Sequence, residues 1–259
     1  MEKIAASDSV DITVSVVSHL QIELVAQLLA DIDAHCAGSR LEVILTLNIS
    51  EHLPFELTRY SFPVKLIRNA SAKGFGANHN QAFRHATGRY FCVMNPDIRL
   101  ASNPFGLLLT CFTDPSAGVV APLVLGKDGE VEDSARRFPT PLTILCKAFG
   151  RCKGTDYVIG LEPFHPDWVG GMCMLFPHAV FERLGGFDER YFLYYEDVDI
   201  CARVRLLGYE VLVHPQAKVT HHAQRTSRRS LTYLRWHFKS MMRFFLSPAC
   251  WRVHCLGRP

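Results

Sequence analysis

The feature that most constrains the fold is an alternation in the first hundred residues. Four short runs rich in β-branched and aromatic residues occur at Ile12 to Ser18, Leu41 to Leu47, Pro63 to Ile67 and from Tyr90 onward. Each has the length and composition of a strand. Between the first two, Leu20 to Cys36 carries apolar residues at 20, 24, 25, 28, 29 and 32, a helical spacing, and Gly38 follows as a stop. Asn78 to His85 reads as a second helix, ending near Gly88. Strands alternating with helices predict an α/β chain with a mostly parallel sheet covered on both faces.

The fourth run is the most informative. Tyr90-Phe91-Cys92-Val93-Met94 is stopped by Asn95-Pro96, and Asp97 follows at once. A strand ending in a turn delivers its next side chains to the sheet's C-terminal edge, where open α/β sheets place their ligands. A lone carboxylate there suits a hard cation, and a hard cation suits a diphosphate. A solvated turn aspartate is the plain alternative. The loop Asn69 to Asn80 places two glycines and three amides before a helix. This pattern lets backbone approach a ligand and points N–H groups at phosphate. It is not the dinucleotide fingerprint, because His79 stands at the third glycine position.

Later segments are less regular. Val119 to Leu125 precedes a hairpin-like turn, Gly126-Lys127-Asp128-Gly129. Arg136-Arg137 either clamps an anion or lies solvated in a loop. Thr140 to Asp167 carries no assignable pattern. Trp168 to Phe176 reads as a strand entered through Gly170-Gly171, followed by a helix from Pro177 to Gly185-Gly186. Glu196, Asp197 and Asp199 load the first turn of a helix that runs to Leu207. Charge complementing the helix dipole explains one or two of them. Five aromatics lie just upstream, and they suit either a sugar-stacking face or ordinary core. Glu210 to His214 is a further short strand. In the extended segment after it, His221 and His222 point to opposite faces, so one of them at most serves a given site.

The 259 residues suffice for one large domain or two small ones. No apolar run reaches spanning length, so no membrane span is expected. Glu2, Asp8 and Asp11 do not make a signal peptide. Nine scattered cysteines without a Cys-x-x-Cys pair read as reduced thiols in a cytosolic protein. The net charge of +3 hides an asymmetry: from Val211 onward there are nine Lys/Arg and no Asp/Glu. A basic tail fits an anionic partner, whether membrane surface, nucleic acid or phosphorylated substrate. Leu231 to Leu246 is amphipathic, with Arg235, Lys239 and Arg243 in one stripe among bulky apolar residues. That composition suits an in-plane interfacial helix, or one docked on the domain with its basic face in water. The interleaved apolar groups favour lipid and argue against nucleic acid.

Four motifs in order resemble glycosyltransferase family 2. They are Lys73-Gly74-Phe75-Gly76 with Asn80, Asn95-Pro96-Asp97, Gly185-Gly186-Phe187-Asp188, and Glu196-Asp197-Val198-Asp199. The run Ser134-Ala135-Arg136-Arg137-Phe138-Pro139 and the His- and Arg-rich tail are similar to bacterial rhamnosyltransferase-like members that build surface polysaccharides. The resemblance covers about Ile12 to Arg243. It implies the GT-A fold, a Rossmann-like, mostly parallel central sheet flanked by helices, with a C-terminal amphipathic helix. Residues 1–224 would form the catalytic domain, with about 10–100 as the donor half and about 101–224 as the acceptor half. Residues 225–259 would form the basic tail.

The resemblance also implies an inverting enzyme. It would move a single sugar, rhamnose among the options, from a nucleoside-diphosphate sugar to a lipid-linked or saccharide acceptor. It implies a divalent cation, Mg2+ or Mn2+, on Asp97 and His221, with His222 as second choice for the imidazole. Asp197 matches the catalytic base, with Glu196 beside it. The donor would lie against Ser18, Asn48, Asn69, Lys73, Gly74, Phe75, Gly76, Asn80, Asn95 and Asp97, with Gly171 and Arg136 from later segments. Thr232 replaces the glutamine of the processive motif ahead of Arg235-Trp236, which implies transfer of single sugars. The implied location is the cytoplasm, peripheral on the inner membrane face and held to an anionic surface by the C-terminal helix. Asn95, Asn48 and Ala72 depart from the family pattern and motivate a rival reading, a silent nucleotide-sugar-binding scaffold.

Overall fold

A computed structural model describes residues 10–148, 155–222 and 231–255. Strand β1 (Ile12–Ser18) leads through helix α1 (Ile22–His35) to β2 (Leu41–Leu47) and β3 (Val64–Arg68). Helix α2 (Phe75–Phe83), β4 (Tyr90–Met94) and the short β5 (Ile98–Arg99) follow. Next come α3 (Phe105–Thr110), β6 (Ala117–Leu125), β7 (Ala135–Arg136) and α4 (Pro141–Ala148). Beyond these are β8 (Trp168–Val169), β9 (Cys173–Pro177), α5 (His178–Arg183), α6 (Glu196–Leu206) and β10 (Glu210–His221). Helices α7 (Leu231–Phe245) and α8 (Pro248–Cys255) complete the described chain.

The main sheet runs β3-β2-β1-β4-β9-β6-β10-β5, and β7 pairs with β8 in a separate ribbon. The first four strands are mutually parallel, as their spacing predicts. Strand β9 enters antiparallel between β4 and β6, and β5 lies antiparallel on the far end of β10. The sheet is therefore mixed past its centre. Its alternating side chains supply two cores. Val14, Val16, Leu45 and Met94 face α1, while Phe91, Val93, Met174 and Phe176 face the side of Phe181 and Ile200. On that second face β1 offers Thr13 and Ser15 instead of apolar groups. Thr13 donates to Glu42 (2.7 Å), which also pairs with Lys65 at 2.8 Å. Burial alone would raise the Glu42 carboxyl, but Lys65 and the hydroxyls of Thr13 and Thr87 outweigh it and hold the pKa low.

Several boundaries differ from the sequence reading. Helix α2 begins at Phe75 rather than Asn78, because the Phe75 N–H is satisfied from outside by the Phe192 carbonyl (2.9 Å). Strand β10 continues past Pro215 to His221 by means of a register shift between His214 and Lys218. The unassigned stretch after Thr140 opens with α4. The expected boundary at 224/225 lies outside the described residues.

Candidate active site

The β4–β5 turn and the end of β10 meet at one corner of the sheet. His221 pairs in register with Ile98, and the His222 N–H donates to the Asp97 carbonyl (2.8 Å). This register turns the His221 ring onto Asp97, with Nε2 at 3.3 Å from Oδ2. Its other nitrogen, Nδ1, is 2.8 Å from Glu132 Oε2. Burial opposes a charged imidazole here, yet Asp97 and Glu132 outweigh it and raise the His221 pKa. His222 moves the other way, lowered by desolvation and by Lys127 and Arg99. Asp97 is buried, and its Oδ1 has no hydrogen-bond partner. A buried carboxylate oxygen without a partner beside an imidazole fits a hard cation. Among the described residues no group of three or more His, Cys, Asp or Glu is arranged to hold a metal on its own. A cation at Asp97 and His221 therefore needs ligands from water or a bound diphosphate.

The second carboxylate group lies at the start of α6. Two consecutive non-glycine residues, Tyr194 (φ 69°) and Tyr195 (φ 67°), adopt the left-handed region just before it. Such conformations cost about 1–3 kcal/mol each and persist only where their surroundings enforce them. They set the direction of the first helical turn. Asp199 bonds Arg203 (2.8 Å) and Asp188 bonds Arg190 (2.6 Å), so these two carboxylates are structural. Glu196 is buried, with Oε2 unpartnered, and burial followed by the neighbouring Asp197 raises its pKa well above the usual range. Asp197 is only half-buried. It accepts from the Gly171 N–H (3.1 Å) and the Val198 N–H (2.9 Å). Desolvation raises the Asp197 pKa, against those two donors and the Arg136 charge. Burial thus favours the protonated form of both carboxyls, while the Gly171 and Val198 N–H groups and the Arg136 charge act in the opposite sense on Asp197.

The structure divides the expected donor residues into two groups. Asn48, Asn69 and Asn78 knit the Lys73–Gly74 loop. Asn48 accepts from the Lys73 N–H (2.8 Å) and donates to its carbonyl (3.0 Å), and Asn69 donates to both Asn48 (3.0 Å) and Asn78 (2.7 Å). The Lys73 ammonium donates to Gln81. Ser18 is buried at the end of β1, where its hydroxyl accepts from the Gln21 N–H (3.3 Å). His19, which the sequence reading did not single out, contacts Asn48 at 3.2 Å. Asn95 donates its N–H to the Met172 carbonyl (2.9 Å) in the same edge.

The other group faces the protein. Asn80 accepts from the Phe187 N–H (2.8 Å) and donates to the Phe187 carbonyl (2.8 Å) and to Glu189 (3.1 Å). The glycines of the Lys73-Gly74-Phe75-Gly76 motif are explained by close approach. A Cβ on Gly74 would sit 2.7 Å from the Phe192 carbonyl oxygen, and one on Gly76 would sit 2.5 Å from Phe187 Cβ. Gly171 lies between Phe75 and Asp197. Arg136 stacks over Trp168 at 5.4 Å and bonds Asp133 at 3.0 Å. Glu132 was missed because it sits in a charged turn that reads as solvated loop.

The model of glycosyl transferase family 2 matches residues 13–174. The chain belongs to glycosyl transferase family 2. Among curated relatives, an N-acetylglucosaminyl-diphospho-decaprenol L-rhamnosyltransferase of Mycobacterium tuberculosis is 35% identical over 159 residues, 57% of this chain and 52% of that protein. The rhamnosyltransferase WbbL of Escherichia coli is 27% identical over 244 residues, 88% of this chain and 90% of its own length. The chain thus spans about half the length of the first relative and most of the second. In fold, this family 2 chain is similar to a mannosyltransferase from Pyrobaculum calidifontis solved with GDP-Man and Mn2+. The TM-score is 0.62 at 19% identity, covering 91% of this chain and 65% of that one.

Proposed function

We propose that the protein is an inverting glycosyltransferase of cell-surface glycan synthesis. It transfers one sugar, rhamnose by likeness to the relatives, from a nucleoside-diphosphate sugar to a lipid-linked or polysaccharide acceptor. The observation that carries this reading is Asp197. It is a half-buried carboxylate fixed by two backbone N–H groups, in a family 2 fold whose sheet edge also holds the Asp97–His221 pair. Asp97 and His221 would hold a divalent cation, Mg2+ or Mn2+. When bound, it supplies positive charge against the departing diphosphate. Asp197 takes the proton of the acceptor hydroxyl as that oxygen attacks the anomeric carbon from the face opposite the diphosphate. The Gly171 and Val198 N–H groups keep its carboxylate aimed, and Arg136 favours its ionised form. One displacement inverts the anomeric centre, and no covalent bond to the protein is required.

The C-terminal helix supports a membrane-surface location. Phe244 and Ser240 of α7 are buried against the domain, while Leu231, Leu234, Phe238 and Met242 are exposed at helical spacing beside Arg235 and Lys239. Arg243, the third member of the basic stripe, turns inward over Tyr191 at 5.9 Å. Among the described residues no helix is long and apolar enough to cross a membrane.

The test combines a thermal-shift screen with Asp197→Asn. Nucleoside diphosphates and nucleotide sugars are screened with Mn2+, Mg2+ or EDTA, and a metal-dependent rise for one nucleotide names the donor class. Asp197→Asn should keep that rise and lose transfer by about 10²–10⁴-fold. Retention of most turnover would remove Asp197 from the base role. Metal-dependent binding without transfer or hydrolysis of any donor would favour the silent scaffold.

A further inference from the structure

The geometry points to Glu132 as a positioning residue for His221, a role that rests on the reading of Asp97 and His221 as cation ligands. Glu132 reaches the site by a specific route. After β6 the chain turns through Gly126–Gly129, with the Gly129 N–H on the Gly126 carbonyl (3.0 Å). It returns beside the strand it left, with Val131 bridged to Leu125 and the Glu132 N–H on the Val124 carbonyl (2.9 Å). From there it runs directly into β7. The Ser134 N–H bonds the Glu132 carbonyl, and the Ser134 carbonyl accepts from Gly170, both at 2.8 Å. Backbone bonds therefore fix Glu132 on both sides.

The side chain has one ionic partner among the described residues, His221 Nδ1. The two ring nitrogens point away from each other, so Glu132 and Asp97 lie on opposite sides of the imidazole. Glu132 cannot reach a cation placed at Nε2, which agrees with the lack of a three-residue ligand cluster. It can do something else. By accepting from Nδ1–H it leaves Nε2 free to give its lone pair to a cation shared with Asp97, and it stops the ring from rotating. Carboxylates behind ligating histidines act in this way, and removing them typically costs about 10–100-fold in metal affinity. The same short segment carries Arg136 to the side of Asp197, so one stretch of chain supports both halves of the site.

The experiment counts free Mn2+ by electron paramagnetic resonance while MnCl2 is titrated into the full chain, with no nucleotide present. Wild type is compared with Asp97→Asn, Glu132→Ala and Glu132→Gln, and unfolding temperatures are measured in EDTA. The expected result is loss of the Mn2+ site in Asp97→Asn and a dissociation constant about 10–100-fold higher in Glu132→Ala. Glu132→Gln, which keeps an acceptor oxygen, should recover most of that loss. Wild-type affinity in Glu132→Ala, with Asp97→Asn inactive in binding, overturns the role of Glu132 alone. Equal loss in both Glu132 variants also overturns it, because an acceptor oxygen is what orientation requires. Equal binding by wild type and Asp97→Asn overturns the Asp97 reading and this one with it.

Discussion

Asn80 separates two explanations of one motif. As a donor-binding residue it would face the nucleotide sugar. In the structure its amide instead joins α2 to the loop that feeds α6, through three hydrogen bonds to Phe187 and Glu189. Phe187 is fully buried, so Asn80→Ala leaves a backbone N–H and a carbonyl without partners or water. Each such group costs about 1–3 kcal/mol, which gives about 2–6 kcal/mol for the pair. For a chain of this size that lowers the melting temperature by about 4–24 °C. Differential scanning fluorimetry in EDTA reads it directly. Asn80→Asp should fare no better, since it turns a donor into an oxygen facing the Phe187 carbonyl and Glu189. Gly186 belongs to the same contact. Its φ of +71° is left-handed, and a Cβ there would overlap the Asn80 amide. A fall below about 2 °C in Asn80→Ala, together with lost nucleotide-dependent stabilisation, would refute the clamp and restore Asn80 to the ligand.

Two further outcomes follow from the same geometry. The folded state raises the Glu196 pKa above its ordinary 4.5, so it binds a proton that the unfolded chain releases. Stability is therefore lost as pH climbs from 4.5 through the raised value, and Glu196→Gln should melt progressively higher than wild type toward pH 8. A difference in melting temperature that does not change with pH would contradict it. On α7, Leu234→Ser with Phe238→Ser changes only exposed side chains, so the fold should survive while sedimentation with anionic vesicles falls several-fold. Undiminished vesicle binding would rule out this face.

Much of the first hundred residues was legible, because β1 and β2 are short, continuous and buried along almost their whole length. That His221 and His222 diverge was legible too, since adjacent residues on a strand face opposite sides, and the structure turns His221 toward Asp97. Other features depend on distant partners. Cys173–Pro177 reads as a buried strand in either direction, and only its pairing with β4 makes it antiparallel. Pro215 has no N–H and concealed the continuation of β10, which needs a register shift to pass it. The left-handed Tyr194 and Tyr195 carry no glycine to announce them. Glu132 sits in a run of charges whose pattern is that of any solvated turn, and its meaning comes from a residue 89 positions later.

The same dependence explains the aromatic segment before α6. In sequence it suited a sugar-binding face or ordinary core. In the fold, Tyr191 and Tyr195 are buried with Phe244, and Phe192 lies against Trp236 at 4.7 Å. The Ser240 hydroxyl holds the Leu193 carbonyl (2.8 Å), and His237 meets the rings of Tyr194 and Tyr195 at 5.3 and 5.4 Å. From α2, Phe75 and Asn80 grip the same segment at Phe192 and Phe187. The loop is thus held by α2 on one side and α7 on the other, and these contacts enforce the two left-handed tyrosines. Asp197 lies two residues beyond them. The position of the proposed base is therefore set jointly by the Lys73–Gly76 glycine motif and by a helix whose opposite face is apolar and exposed. On the proposed reading of Asp197 as the base and of this exposed face as lipid-binding, the acceptor side of the site would lie at the surface where a lipid-linked saccharide would arrive.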